Sequence, residues 1–247
     1  MGRLLVARLG LTTAPATITV IIPAFNEAPT ITHVIDQVRA VDLQGLRKEI
    51  VVVDDGSTDG TQAALAPLRE AGVVQVVVQP VNRGKGAAIK AGLARAAGDL
   101  VIIQDADLEL SPAEYPRMVA PFMENDATGV VFGSRFLAGP RLGQPLAILA
   151  NWWLTSLTNL LFGARLTDMG TCYKLCRTDV LRSLALESDG FEIESEISAK
   201  LLRRGYAIRE VPVSYRPRTR AEGKTIKWHD GFRALLTLLK WRLAREV

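Results

Sequence analysis

The fold is decided by residues 18–60, ITVIIPAFNEAPTITHVIDQVRAVDLQGLRKEIVVVDDGSTDG. Two β-branched runs, at 18–22 and 49–53, flank a segment at 27–41 in which apolar residues recur at helical spacing. Strands that are apolar throughout, rather than alternating, are typical of a parallel sheet covered on both faces. The stretch therefore predicts a strand–helix–strand unit of the α/β class.

The same alternation continues along the chain. Further strands are predicted at 73–79, 100–104 and 130–133, with helices at 61–71 and 86–97. We predict one α/β domain over residues 1–247, with a doubly wound, mostly parallel sheet and helices on both faces. Residues 226–247 are predicted to form a basic amphipathic C-terminal helix.

The long apolar segment at 146–162 raises the question of a membrane span. Its polar residues fall on one helical face, and its Leu and Trp residues fall on the opposite face. An amphipathic helix is therefore predicted rather than a span, because a span needs about 20 consecutive apolar residues.

Composition excludes several protein classes. The 247 residues are 48% hydrophobic and 23% charged, which is unlike a disordered or collagen-like chain. Cys172 and Cys176, with only two histidines in the chain, make a poor zinc site and are expected to be structural thiols. The apolar run at the N-terminus is too short for a signal peptide, so we expect a cytoplasmic protein.

Charge is concentrated near the C-terminus. Residues 199–245 contain 13 Lys/Arg against 3 Asp/Glu, while the whole chain has a net charge of +4. Such an excess points to an anionic partner (a phosphate, a nucleic acid or a membrane surface) or simply to a solvated surface. Nucleic acid is disfavoured, because the tryptophans lie on apolar helix faces and not along a basic platform.

Polar side chains follow the predicted strands, where α/β sheets bind their ligands. Asp105 and Asp107 come directly after the strand at 100–104, and a pair of carboxylates at this spacing can chelate Mg²⁺ or Mn²⁺. Turn-forming aspartates also produce this pattern by chance. Asp54 and Asp55 follow another strand, where a carboxylate could accept from a nucleobase or ribose. Glycines at 84 and 86 permit a diphosphate to approach a helix N-terminus.

These residues carry a resemblance to a known family. The motifs occur in order as Pro23-Ala24-Phe25-Asn26-Glu27, Asp54-Asp55-Gly56-Ser57-x-Asp59, Asn82-x-Gly84-Lys85-Gly86, Asp105-Ala106-Asp107, Gly133-Ser134-Arg135, Asp168-x-Gly170-Thr171-Cys172-Tyr173-Lys174-Leu175, and Arg218 with Glu222-Gly223-Lys224. Together they resemble the family 2 inverting glycosyltransferases with the GT-A fold, in particular the polyprenyl-phosphate branch that contains the dolichol-phosphate mannose and glucose synthases.

The resemblance implies a role for individual residues. The nucleoside would be held by Pro23, Phe25, Glu27, Val53 and Asp55, and the donor site would also include Lys85, Asp105 and Ala106. The metal, Mg²⁺ or Mn²⁺, would be held by Asp105, Asp107 and Glu109, the last at a position where the branch often has glutamine. The diphosphate and the lipid phosphate would contact Arg135, Lys174, Arg218 and Lys224.

The implied activity is metal-dependent, inverting transfer of a hexose from GDP-mannose or UDP-glucose to a dolichyl or undecaprenyl phosphate. The protein would then lie on the cytoplasmic face of a membrane as a peripheral protein and bind no nucleic acid. Two alternatives stay open. One is a family 2 enzyme with a hydroxyl acceptor, in which Asp168, Glu192 or Glu194 would be the base. The other is a catalytically silent module that binds a nucleotide sugar at a membrane.

Overall fold

The structure is a computed structural model that describes residues 15–139, 145–218 and 228–245. Its centre is a seven-stranded sheet in the order β3-β2-β1-β4-β6-β5-β7. The strands are β1 Thr17–Ala24, β2 Arg47–Asp54, β3 Gln75–Val78, β4 Leu100–Ile103, β5 Val130–Ser134, β6 Lys174–Arg177 and β7 Ile208–Pro212. The predicted α/β class and its mostly parallel sheet are confirmed.

Only β6 runs against its neighbours. It pairs antiparallel with β4 on one side and with β5 on the other, while β5 and β7 pair parallel. The carboxyl ends of β1, β2, β4, β5 and β7 therefore meet at one edge of the sheet, and β6 begins there. We call this the carboxyl edge. Strands from both halves of the chain share the sheet, whereas the exact domain bounds of 1–247 stay a prediction.

Eight helices are described around this sheet. They are α1 Ile31–Ala40, α2 Thr61–Glu70, α3 Lys85–Arg95, α4 Tyr115–Glu124, α5 Pro145–Phe162, α6 Thr178–Ser183, α7 Ile193–Arg203 and α8 Trp228–Leu243. The sequence analysis did not predict α4, α6, α7, β6 or β7. Strands β6 and β7 and helix α6 are only four to six residues long, and α7 is buried on all sides, so neither length nor period identifies them. Helix α4 does have helical spacing, with Tyr115, Met118, Val119 and Phe122 buried, and the sequence analysis missed it.

The core lies on both faces of the central strands. Ile18, Val20 and Ile102 are fully buried, as a parallel sheet with covered faces requires. Helix α3 approaches β1 closely because it has a glycine at position 92, where an added Cβ would lie 2.5 Å from Cγ2 of Ile21. This close packing brings the N-terminus of α3 to the carboxyl edge.

Helix α5 is amphipathic, as predicted, but its polar face is the one that is buried. Thr155 and Thr158 lie inside, whereas Leu146 is 77% exposed and Leu160 is 81% exposed. The Thr155 hydroxyl accepts a hydrogen bond from the backbone N–H of Met169 at 3.1 Å. The polar face of α5 therefore holds the loop before β6. Leu154, Leu157 and Leu161 pack inside beside it, and the remaining apolar side chains are left on the outside.

Helix α8 packs on α7 and α5 through Ala234, Leu238 and Trp241. Trp241 lies under the ammonium group of the buried Lys200, 3.8 Å from its ring centre. The predicted apolar face, with Phe232, Leu236, Leu239 and Leu243, is exposed instead. Among the described residues, no helix is long and apolar enough to cross a membrane. The predicted helix residues 226 and 227 lie outside the described residues.

The close approach at Gly92 makes a stability prediction. Gly92→Ala should lower the free energy of unfolding by about 1–3 kcal/mol, because its methyl group would force Ile21 or the backbone to move. The matched control is Gly231→Ala in α8, where nothing lies within 4 Å of the added Cβ. That change should leave stability unchanged or raise it slightly. Urea unfolding of both variants measures the difference, and equal midpoints would contradict the prediction.

Candidate active site

The carboxyl edge gathers acidic side chains from three parallel strands. Glu27 follows β1, Asp55 follows β2, and Asp105 and Asp107 follow β4. Arg218, which follows β7, lies between two of them: its Nη1 is 3.3 Å from Oε1 of Glu27 and its Nη2 is 2.9 Å from Oδ2 of Asp107. The structure therefore brings predicted nucleoside, metal and phosphate residues into one group.

The two aspartates after β4 each have a cationic neighbour. Lys85 Nζ, at the start of α3, lies 2.7 Å from Asp105 Oδ1. Burial opposes ionisation of Asp105, but this ammonium outweighs it and holds the pKa of Asp105 below its usual value. For Asp107, burial and the neighbouring charge of Asp105 raise the pKa to about 7, although Arg218 acts in the opposite direction.

These two carboxylates fit a divalent cation. They are hard oxygen ligands at a strand end. Lys85 and Arg218 already compensate their negative charge. Glu109 does not join them: its Oε1 accepts from the backbone N–H of Arg218 at 2.8 Å, and its Oε2 accepts from the Tyr215 hydroxyl at 3.0 Å. No group of three candidate metal ligands converges among the described residues. Two carboxylates suit Mg²⁺, which commonly completes its coordination with substrate phosphates and water.

The residues predicted to hold the nucleoside lie at or just after the carboxyl ends of β1 and β2. Asp55 accepts from the backbone N–H groups of Arg83 and Gly84, at 2.9 and 2.7 Å, and so fixes the loop before α3. Burial raises the pKa of Asp55, while those two donors lower it. Phe25 presents an exposed ring beside them. Val53 and Ala106 have buried side chains, so a ligand here would meet only their backbone. Pro23 lies within β1 next to this group.

Arg135, after β5, is held in place by the buried Asp168. Its Nε and Nη2 donate to the two carboxylate oxygens of Asp168 at 2.7 and 2.8 Å, and Asn151 of α5 donates to the same carboxylate at 3.0 Å. The guanidinium also lies over the ring of Tyr215, 5.1 Å from its centre. Asp168 therefore positions a cation. Asn151 and Tyr215 were missed by the sequence analysis because neither stands in one of its motifs.

Lys174 does not face the open edge, although it was predicted to contact phosphate. Its side chain is fully buried, and its Nζ donates to Glu194 Oε2 at 2.6 Å and to the carbonyl oxygens of Met169 and Thr171. Glu194 also lies 3.2 Å from Nζ of Lys85. Lys174 thus acts on the site indirectly: it contacts Glu194, and Glu194 contacts Lys85. Lys224 lies outside the described residues.

Comparison with known proteins identifies the family. Residues 19–184 match the profile of glycosyl transferase family 2. The chain belongs to this family. The recognition made from the motifs is confirmed.

Two relatives of this chain are named as mannosyltransferases of a polyprenyl phosphate. It is 29% identical over 240 residues to a dolichol-phosphate mannosyltransferase of Pyrococcus furiosus, matching 91% of this chain and 64% of that protein. It is also 29% identical over 233 residues to an undecaprenyl-phosphate mannosyltransferase of Micrococcus luteus, matching 91% of this chain and 93% of the other. The chain thus spans less than two thirds of the first relative.

A solved structure supports the fold and a general use of divalent metal. The glucosyl-3-phosphoglycerate synthase of Mycobacterium tuberculosis, in complex with Mg²⁺ and UDP, aligns with a TM-score of 0.70 at 26% identity, over 97% of this chain and 82% of that chain. The same protein has been solved with Mn²⁺, UDP and glucosyl-3-phosphoglycerate. The individual ligands predicted in this chain stay predictions.

The buried pair of Lys174 and Glu194 makes a second stability prediction. Lys174→Met should cost about 3–5 kcal/mol, because it leaves Glu194 with one of its two cations missing in a buried setting. Lys240→Met is the control, since Lys240 and its partner Glu187 are both exposed, and such a pair contributes at most about 1 kcal/mol. Thermal and urea unfolding measure both. Similar small losses in the two variants would show that the buried pair is not a structural support.

Proposed function

We propose that this glycosyltransferase transfers a hexose from a nucleotide sugar, GDP-mannose or UDP-glucose, to a polyprenyl phosphate, with inversion and with Mg²⁺ or Mn²⁺ held by Asp105 and Asp107. The observation that carries the proposal is the state of two of the three candidate bases. Asp168 is bound on both oxygens by Arg135, and Glu194 lies between Lys85 and Lys174. Carboxylates paired in this way are poor general bases.

A phosphate acceptor needs no base. Its second pKa is near 6, so it is largely dianionic at neutral pH and attacks as it stands. One phosphate oxygen forms the bond to the anomeric carbon while the bond to the leaving nucleoside diphosphate breaks, and the diphosphate keeps the electron pair. A bound divalent cation would stabilise the charge on the leaving diphosphate. Arg135 and Arg218 are the residues proposed to bind phosphate oxygens, through the fork of the guanidinium.

The exposed helix faces support a lipid acceptor. Leu146, Leu149, Trp152, Trp153 and Leu160 of α5 point outward, and α8, which packs beside α5, exposes Phe232, Leu236, Leu239 and Leu243. Arg233, Lys240, Arg242 and Arg245 accompany them on or just after α8. Apolar side chains with tryptophan and neighbouring basic residues are typical of a helix that lies in a membrane surface. We therefore propose peripheral attachment to the cytoplasmic face of a membrane through α5 and α8.

One observation favours a hydroxyl acceptor as the second candidate. Among the described residues nothing hydrogen-bonds to the buried Oε2 of Glu192, while its Oε1 accepts from the backbone N–H of Gly190 at 3.1 Å. Within the same part of the chain, Glu192 is the candidate base that is not paired with a cation. A small phosphorylated hydroxy acid would suit such a site and the basic residues around it.

The activity test uses the purified chain with Mn²⁺ or Mg²⁺ and a panel of nucleotide sugars. We expect release of one nucleoside diphosphate that depends on a short polyprenyl phosphate, with the sugar recovered on the lipid. Release that instead depends on 3-phosphoglycerate would favour the hydroxyl acceptor. Binding of donor without turnover on any acceptor would leave the silent binding module.

Asp107→Asn tests the proposed metal ligand. It keeps the size of the side chain but removes the charge, so we expect transfer to fall by at least a hundredfold while the thermal unfolding midpoint stays within a few degrees. The control is Asp126→Asn, an exposed carboxylate beyond α4 that should leave transfer unchanged. Wild-type turnover by Asp107→Asn would contradict the assignment.

Membrane attachment is tested by vesicle co-sedimentation. The double change Leu149→Gln and Trp153→Gln on α5 should lower the partition coefficient on anionic vesicles at least tenfold, since each buried apolar side chain is worth about 1.5–3 kcal/mol. The control is Val78→Gln with Met123→Gln, which removes two other exposed apolar side chains away from α5 and α8. Equal binding by both double variants would contradict attachment through α5.

A further inference from the structure

A segment after β7 is fastened across the aspartate turn. We call residues 213–218 the strap. Tyr215 pairs with Leu110 in an isolated antiparallel bridge, and the backbone N–H of Arg216 donates to the Glu109 carbonyl oxygen at 2.9 Å. The Glu109 carboxylate accepts from the Tyr215 hydroxyl and from the Arg218 N–H. Glu109, two residues after Asp107, therefore holds the strap with both its backbone and its side chain.

The strap delivers a guanidinium to the proposed metal ligand. Arg218 is 2.9 Å from Oδ2 of Asp107, while Oδ1 of Asp107 accepts from the backbone N–H of Glu109 at 3.0 Å. Both carboxylate oxygens of Asp107 are thus already engaged. Nη1 of the same guanidinium is 3.3 Å from Oε1 of Glu27. Arg218 bridges two acidic residues that come from different strands, as a bound cation would.

The two cations of the site differ in the elements that carry them. Lys85 is the first residue of α3, and its Nζ lies 2.7 Å from Oδ1 of Asp105 and 3.2 Å from Oε1 of Glu194. Arg218 extends from a strap that lies outside the sheet and helices. A divalent cation needs an oxygen at about 2.1 Å, and a guanidinium on that same oxygen both fills the position and repels the ion. Each cation contacts two carboxylates, so it is the strap, a segment outside the sheet and helices, that makes Arg218 the cation expected to move.

We propose that Arg218 is an internal counter-ion of the metal site, which Mg²⁺ or Mn²⁺ displaces from Asp107 when the donor binds. This inference rests on the proposed metal site. In the free protein the guanidinium compensates Asp107 and Glu27, which would otherwise repel each other. Once displaced, it is a cation beside the phosphates of the bound donor. Arg218 then pairs with the carboxylates before the metal binds and with the donor phosphates afterwards.

Competition has a consequence that a simple phosphate contact lacks. If Arg218 only bound phosphate, removing it would not change the affinity for Mn²⁺ in the absence of nucleotide. If it occupies the metal's position, removing it should strengthen that affinity, although the same change weakens transfer. The two roles therefore predict different results in a binding measurement that needs neither donor nor acceptor.

The experiment measures Mn²⁺ binding to the full chain without nucleotide, from the electron paramagnetic resonance signal of free Mn²⁺. We expect Arg218→Gln to bind Mn²⁺ about tenfold more tightly than the wild type, a change of about 1.4 kcal/mol. The matched control is Arg216→Gln, which removes the same charge from the exposed side chain two residues earlier on the strap. It should stay within about twofold of the wild type, and Arg218→Lys should fall between the two, because it keeps the charge without the fork.

Unfolding curves establish that each variant is folded before its affinity is compared. Equal Mn²⁺ affinity in the wild type and Arg218→Gln would overturn the inference and leave the proposed function standing. Equal strengthening by Arg216→Gln would also overturn it, since general charge would then explain the effect. Failure of every form to bind Mn²⁺, even with UDP or GDP added, would overturn the inference together with the metal ligands of the proposed function.

Discussion

Everything at this site depends on one electrostatic constraint: parallel strands bring carboxylates of like charge to the same edge of the sheet. Asp105 and Asp107 lie two residues apart after β4, in a largely buried setting, where uncompensated charges are costly. The protein meets this constraint with cations of its own. Lys85 compensates Asp105, and Arg218 compensates Asp107. The raised pKa of Asp107 indicates that this compensation is incomplete.

The compensation extends inward as a chain of alternating charges. Lys85 contacts Glu194, and Glu194 contacts Lys174, which is sealed off from solvent at the start of β6. Each member is paired in charge with the next, so Lys174 acts on the carboxylates at the edge without touching them. Networks of this kind are sensitive to the loss of any one member. The antiparallel strand β6 matters here because its first residue, and not its last, lies at the carboxyl edge.

A second constraint explains the unusual orientation of α5. Its polar face is needed inside, where Asn151 and Thr155 bind the loop that carries Asp168, and Asp168 in turn orients Arg135. Both tryptophans of α5 and three of its leucines are consequently turned outward, while Leu154, Leu157 and Leu161 pack against the inner cluster. An apolar helix surface of this extent is unusual on a protein that meets only water, and it is the reason for the proposed membrane attachment. The same helix thus links the outer surface to a proposed phosphate-binding residue.

The sequence by itself determined the α/β class, the strands and helices as far as β4, the family, and the order of the acidic motifs. These are local properties: β-branched runs, helical spacing, and residues that directly follow a strand. Only the tertiary structure decided that Lys174 is buried, that Glu109 holds the strap, and that α5 exposes its apolar face. Each of these depends on a partner from more than 15 residues away along the chain or from another element. The spacing of residues within a motif does not indicate which distant group will compensate a charge.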